Sequence, residues 1–338
     1  MELEFSYINQ PNAVKVVQVD KKTSRKYINW GDDNKLPDYI WDSYLACSNL
    51  QALVNTVTDY CKGDGINTSF VNFGRDSIES VVRRCVFDFV LFGGFGVECI
   101  RSAQGRVSQV KYINVMSIRV DEDLTTAYLS NQWGSYDAKK MQTLPLYDGT
   151  NIQTHFVYYY RGNITRNINP IPMWFAALKS VDVLNESRNY NLNNIHNNFN
   201  ANLAVVLNGT HIKSSEKDDI KKKLEIGYSG SDNAGKSILI DNANTDGKVE
   251  IQRLDGDKTV DMYKSVQESS IDDLYVAFRI NPLLVGINQQ TGFNTQEYGN
   301  AFKLYDKTVV SPLQDEVVSV FAELGINITF DKFVINFE

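Results

Sequence analysis

The sequence predicts an α+β fold, and three observations carry that reading. Several stretches repeat apolar residues at steps of three and four, the period of a helix face. Around residues 97–120 the period shifts toward two, as strands of an antiparallel sheet require. Of the 338 residues, 43% are hydrophobic and 22% charged, an ordinary globular balance with enough apolar material for a real core.

The first 30 residues read as short strands and turns. Pro37 suits the first turn of a helix, with the Asp and Asn of Asn29-Trp30-Gly31-Asp32-Asp33-Asn34 as caps. Ile40, Tyr44, Cys47, Leu50, Val54, Val57 and Cys61 continue it as one helix that ends at Gly63 and Gly65. A second helix from about Asp76 carries Ile78, Val81, Val82, Cys85 and Phe89 on one face. Gly93-Gly94-Phe95-Gly96 breaks it, and strands follow through Val97, Cys99, Val107, Val110, Tyr112, Ile118 and Val120, then His155 to Tyr160. This block ends near Pro170 and Pro172.

From Met173 a long helix is expected, on Trp174, Leu178, Val181, Leu192, Ile195 and Phe199. It would be a rod of roughly 40 Å, with an Asn-crowded end that weakens it. A small α/β unit follows: a strand at Leu203 to Leu207, a charged helix from Ser215 to Ile226, and strands at Ser237 to Ile240 and Val249 to Leu254 joined by a turn at Asp246-Gly247. Ile271, Leu274, Tyr275 and Phe278 mark another helix, which breaks at Asn281-Pro282. A polar loop runs from Gly286 to Phe293. The last long helix, capped by Asn294 with Glu297 and closed by Gly325, has Pro312 in its middle. A proline there removes a hydrogen bond, so a kink is expected at Pro312. An alternating strand from Ile326 to Phe337 closes the chain.

Charge and composition exclude several classes. A net charge of −7 argues against gripping nucleic acid, which needs clustered Lys and Arg, but suits a surface that DNA slides past. The four cysteines form no CxxC pair and there are three histidines, so no metal and no cofactor are expected; the cysteines read as free, buried thiols. The start, Met1-Glu2-Leu3-Glu4, lacks a secretory signal, and no apolar run is long enough to cross a membrane.

Gly230-Ser231-Asp232-Asn233-Ala234-Gly235-Lys236-Ser237 matches the phosphate-loop pattern letter for letter. Its context is reversed, because a charged helix precedes it and an apolar strand follows. A flexible connection is the better reading; a nucleotide-binding enzyme is the alternative. No catalytic constellation can be built, and the chain is read as no enzyme. Lys221, Lys222 and Lys223 form a solvated helix face or, alternatively, part of a docking surface.

Trp30-Gly31-Asp32-Asp33-Asn34 with Leu36-Pro37 stands first, then Phe92-Gly93-Gly94-Phe95-Gly96-Val97, then Asn169-Pro170-Ile171-Pro172 leading into a long helix. Val276-Ala277-Phe278-Arg279-Ile280-Asn281-Pro282-Leu283-Leu284-Val285-Gly286 comes next, followed by Asn294-Thr295-Gln296-Glu297 and a helix with Val310-Ser311-Pro312-Leu313. In this order the patterns resemble the portal protein family of tailed bacteriophages. The most specific is the stretch from Val276 to Gly286, in which Asn281 stands where the family commonly has a proline.

The resemblance implies a portal-like fold: a wing over 1–172, a stem helix over 173–199, a clip over 200–258, a second stem helix over 259–281, a tunnel loop over 282–293, and a kinked wing helix with a final strand over 294–338. It implies a homo-oligomeric, dodecameric ring at one capsid vertex of the virion, assembled in the host cytoplasm. Double-stranded DNA would pass through the channel without sequence specificity during packaging and ejection. The large terminase, the major capsid protein and head-completion or adaptor proteins would be partners, with no membrane. Gly286, Asn288, Gln289, Gln290, Thr291 and Gly292 would form the DNA-facing tunnel loop, and Lys221, Lys222 and Lys223 the clip docking surface. Another connector or adaptor of the virion is a rival reading. So is a monomeric binding protein whose apolar stripes are satisfied within one chain.

Overall fold

A computed structural model describes residues 27–133, 141–150, 152–162, 167–196, 203–208, 238–242, 249–253, 257–286 and 295–333. The chain divides into two compact units, 177–274 and the rest.

In the larger unit, α1 (Leu36–Ala46) and α2 (Ser48–Lys62) are separate helices. The single helix expected from Pro37 to Cys61 is broken at Cys47, whose backbone is extended (φ −100°, ψ 105°). The helical spacing of apolar residues survives the break, because Tyr44, Cys47 and Leu50 are all buried. Strand β1 (Gly65–Thr68) leads to α3 (Ile78–Phe92), where the Ser77 side chain accepts a hydrogen bond from the Ser80 N–H. Gly93 ends α3 in the left-handed conformation (φ +83°), and a Cβ there would overlap the Ile171 carbonyl. A Cβ at Gly96 would overlap the Ile118 side chain. The glycine cluster is thus a place of close approach between chain segments, not a loop that cradles a ligand.

The antiparallel strands expected over this stretch are present, but they form two three-stranded sheets rather than one. Strands β2 (Phe95–Arg101), β3 (Val107–Ile113) and β7 (His155–Tyr160) form one sheet in the order β3-β2-β7. A second contains β4 (Ile118–Val120), β5 (Thr126–Leu129) and β6 (Gln142–Pro145). All four cysteines are free and buried.

The smaller unit holds α4 (Leu178–His196), strands β8 (Leu203–Asn208), β9 (Ile238–Asn242) and β10 (Val249–Arg253), and most of α5 (Asp257–Phe278). The helix expected from Met173 starts later. Phe175–Ala177 form a short 3-10 turn, and Pro170 and Pro172 supply no N–H with which to extend a helix backward. Strands β9 and β10 are not a hairpin: β8 lies between them, antiparallel to β10 and parallel to β9. A parallel pair requires a crossover connection, which accounts for the long stretch between β8 and β9. The charged helix expected at Ser215 to Ile226 lies outside the described residues.

Back in the larger unit, Pro282–Val285 form a 3-10 turn, followed by α6 (Thr295–Tyr305) and α7 (Ser311–Glu323). The last long helix is not uniformly α-helical. Asp306–Val310 form a π segment, and the Ser311 N–H reaches back five residues to the Asp306 carbonyl. Pro312, in the first turn of α7, has no N–H to donate, and the wider turn stands immediately before it. Gly325 closes the helix with φ +76°. Strand β11 (Ile328–Asp331) pairs antiparallel with β1, so the last strand returns to the start of the unit.

Candidate functional site

The polar loop after Asn281-Pro282 is the natural place to look for function, and its two ends are well defined. Helix α5 stops at Phe278, and Arg279 takes a left-handed conformation (φ +54°). The Ile280 N–H then donates to the Tyr275 carbonyl at 3.0 Å. Asn281 caps the 3-10 turn, its side-chain oxygen accepting from the Leu283 N–H at 2.9 Å. Gly286 ends the turn at φ +83°, a conformation that favours glycine. Asn288, Gln289, Gln290, Thr291 and Gly292 lie outside the described residues, as does Asn294, the expected cap of the following helix.

One side chain joins both ends of this loop. The Tyr60 hydroxyl, from α2, donates to the Leu284 carbonyl at 2.8 Å and lies 2.9 Å from the Tyr298 hydroxyl. A phenol has one proton, so with Leu284 as its acceptor Tyr60 receives the Tyr298 hydrogen. Burial, then the bond to Tyr298, raises the Tyr60 pKa well above its ordinary value, so the phenol stays neutral. Phe302 and Phe333 meet the Tyr60 ring edge-on at 5.1 and 5.3 Å. Gln314 of α7 donates to the Cys61 carbonyl at 3.0 Å, and the Tyr305 hydroxyl to the Phe278 carbonyl at 3.3 Å. The loop therefore springs from a braced aromatic base, which no local sequence pattern reveals.

The Trp30–Asn34 motif has a different task. Asn34 does not cap α1: the N-cap position is Lys35, which makes no side-chain capping bond. At φ +66°, Asn34 turns inward; its side-chain oxygen accepts from the Trp30 N–H at 2.9 Å and from Arg119 Nε at 2.5 Å. The Arg119 guanidinium also donates to the carbonyls of Asn34, Met116 and Ile118. It lies over the rings of Trp30 and Trp133. Only 1% of Arg119 is exposed, and no carboxylate pairs with it among the described residues. Burial pulls its pKa down to about 10, and it stays charged at neutral pH.

The described residues offer little for catalysis. Burial pushes the Cys99 thiol up to about 12, and the thiols of Cys61 and Cys85 rise as well, which makes poor nucleophiles. His155 Nε2 lies 2.7 Å from Glu98 Oε1, a satisfied polar contact. Among the described residues no group of His, Cys, Asp or Glu could hold a metal ion, and no helix is long and apolar enough to cross a membrane. The phosphate-loop match, Gly230 to Ser237, lies outside the described residues, but β9 begins at Ile238, directly after it. A strand thus stands where a phosphate loop opens a helix. Lys221, Lys222 and Lys223 also lie outside the described residues.

Solved structures share the fold. A chain of the native gene transfer agent virion aligns with a TM-score of 0.57 at 12% identity, over 88% of this chain and 84% of that one. A chain of the native gene transfer agent neck, computed with C12 symmetry, gives 0.55 at 14% identity over 87% and 84%. An HK97-family phage portal protein from Corynebacterium diphtheriae, solved as a crystal structure, gives 0.50 at 11% identity over 86% and 94%. No family model and no curated protein matches the sequence. The chain has the α+β portal-like fold of these proteins, so the resemblance read from its motifs holds at the level of fold.

Proposed function

We propose that twelve copies of this chain form a ring at one capsid vertex, and that the ring is the channel through which DNA is packaged and ejected. The observation that carries the reading is the likeness of fold to a portal protein and to a C12 neck, over most of the length of both partners. Residues 1–172 form the wing, 173–199 and 259–281 the two stem helices, and 200–258 the clip. In the clip, Lys221, Lys222 and Lys223 face the large terminase and later the head-completion proteins. The major capsid protein surrounds the wing.

Residues 282–293 form the tunnel loop, and the helix behind it kinks at Pro312. The chemistry of the loop suits passage. Asn288, Gln289, Gln290 and Thr291 make neutral, exchangeable hydrogen bonds to phosphates, whereas lysines there would trap DNA through counterion release. The net charge of −7 per chain, repeated around a ring, keeps the wall from binding the duplex. The protein itself performs no chemistry; nucleotide hydrolysis belongs to the terminase.

Negative-stain imaging of the purified chain tests this reading. Rings with a central hole wide enough for duplex DNA are expected. Compact single chains that bind a nucleoside triphosphate would overturn it in favour of the enzyme.

A further inference from the structure

A groove of about 460 Å³ opens on the larger unit, where the end of α3, the last turn of α5 and the π segment meet. Ile171, Met173, Ala277, Val309 and Leu313 give it apolar walls. Arg161, Arg279 and Glu316 line it as well. Glu316 is already engaged, because it accepts the Tyr160 hydroxyl. The arginines are not. The Arg161 guanidinium donates only to the Ile168 carbonyl, at 3.3 Å, and neither arginine pairs with a carboxylate among the described residues. By contrast, Arg83 and Arg84 of α3 pair with Glu79 and Asp76. An apolar cleft with two such cations favours an occupant that carries apolar side chains and carboxylates together.

The chain itself contains such a segment. The acids within residues 1–26 are Glu2, Glu4 and Asp20, and Asp20 is followed by Lys21 and Lys22. Glu2-Leu3-Glu4-Phe5 alternates carboxylate with apolar side chain. An extended backbone turns Glu2 and Glu4 to one side and Leu3 and Phe5 to the other. One side complements the arginines and the other the apolar walls. The path to the groove is short. The Asn169 side chain donates to the Asn29 carbonyl at 2.9 Å, and Ile171 of the groove wall is two residues further on. Tyr27 therefore stands within roughly 25 Å of Ile171, whereas residues 8–26 can extend to roughly 60 Å.

We infer that residues 2–5 lie extended in this groove on their own subunit, with Glu2 and Glu4 toward Arg161 and Arg279 and with Leu3 and Phe5 against the apolar walls. The segment thereby clips the Arg279 turn, which leads from α5 to the polar loop, against the helix that follows the loop. The inference concerns one subunit and stands apart from the ring reading.

Disulfide trapping in the full chain tests it. Mild oxidation of Phe5→Cys combined with Leu313→Cys should close a bond within one chain, mapped by peptide mass spectrometry. Docking raises the effective concentration above that of a loose tether, so the bond should form at least about tenfold faster than in Phe5→Cys combined with Val71→Cys. Val71 is 67% exposed and lies by the start of α3, whereas the groove is at its end. The four native cysteines are buried and stay out of the reaction. Adding Glu2→Arg and Glu4→Arg should abolish the advantage, and adding Arg161→Glu and Arg279→Glu to those should restore it. Equal rates for the two cysteine pairs, a charge reversal without effect, or bonds that run between chains would overturn the inference. The ring reading is decided separately, by the mass of the particle.

Discussion

Arg119 and Tyr60 each tie together segments far apart in the chain, but one brings a charge into the core and the other a neutral hydroxyl. Arg119 places four backbone and side-chain acceptors and two indole rings around a guanidinium that is 1% exposed. Tyr60 makes two hydrogen bonds, and both go to residues flanking a loop. The difference separates holding the fold from positioning a working part. Charged, multiply bonded and buried groups carry large stability terms, whereas a single phenol carries a small one with a local consequence.

The largest effect should come from the charged anchor. Arg119→Ala should destabilise the protein by roughly 3–5 kcal/mol in chemical denaturation, through lost hydrogen bonds to a charged group and a cavity between two tryptophans. A loss under 1 kcal/mol would mean that water replaces the guanidinium.

Asp88 sharpens the contrast, because it is also buried but changes charge within an accessible pH range. Burial lifts its pKa from 3.8 to about 7, against the lowering effect of the Val115 N–H and the Tyr112 hydroxyl. Between those values the folded state holds a proton that the unfolded chain has released. The stability this carboxyl contributes is whole below about pH 4 and is lost as pH rises through 7. The parent should therefore lose stability relative to Asp88→Asn as pH rises from 4 to 7, and parallel pH profiles would contradict this.

Tyr60→Phe should cost only about 1 kcal/mol. It should nonetheless speed amide hydrogen exchange across 284–298, an effect that exchange mass spectrometry would see and that Arg119→Ala should not localise there. Asn281→Pro should change stability least, within about 1 kcal/mol. Losing the side-chain cap costs about 1 kcal/mol and the stiffer unfolded chain returns about 0.4–1 kcal/mol. The native φ of −73° already suits proline.

The long apolar stripes were legible because each repeats many times, and most of the helices follow from them. The short strands were not. In β1 and β6 a single residue is buried, Ile66 and Leu144, too little to make an alternation. The break at Cys47 was hidden because apolar spacing continues through it and neither Gly nor Pro marks it. Asn34 has the chemistry of a cap, and only a partner 85 residues away turns it into a ligand for Arg119. The turn at Asp246-Gly247 suggested a hairpin, yet β10 finds its antiparallel partner in β8. The loop base was invisible for the same reason: Tyr60 lies 224 residues from Leu284 and 238 from Tyr298. The order of motifs carried the fold further than any single one, since each is short and tolerant.

The mass of the assembled particle tests the central claim most directly. Native mass spectrometry of the purified parent should give a species of twelve chains, each of 38.3 kDa. A single chain of 38.3 kDa at every concentration and salt would contradict the account.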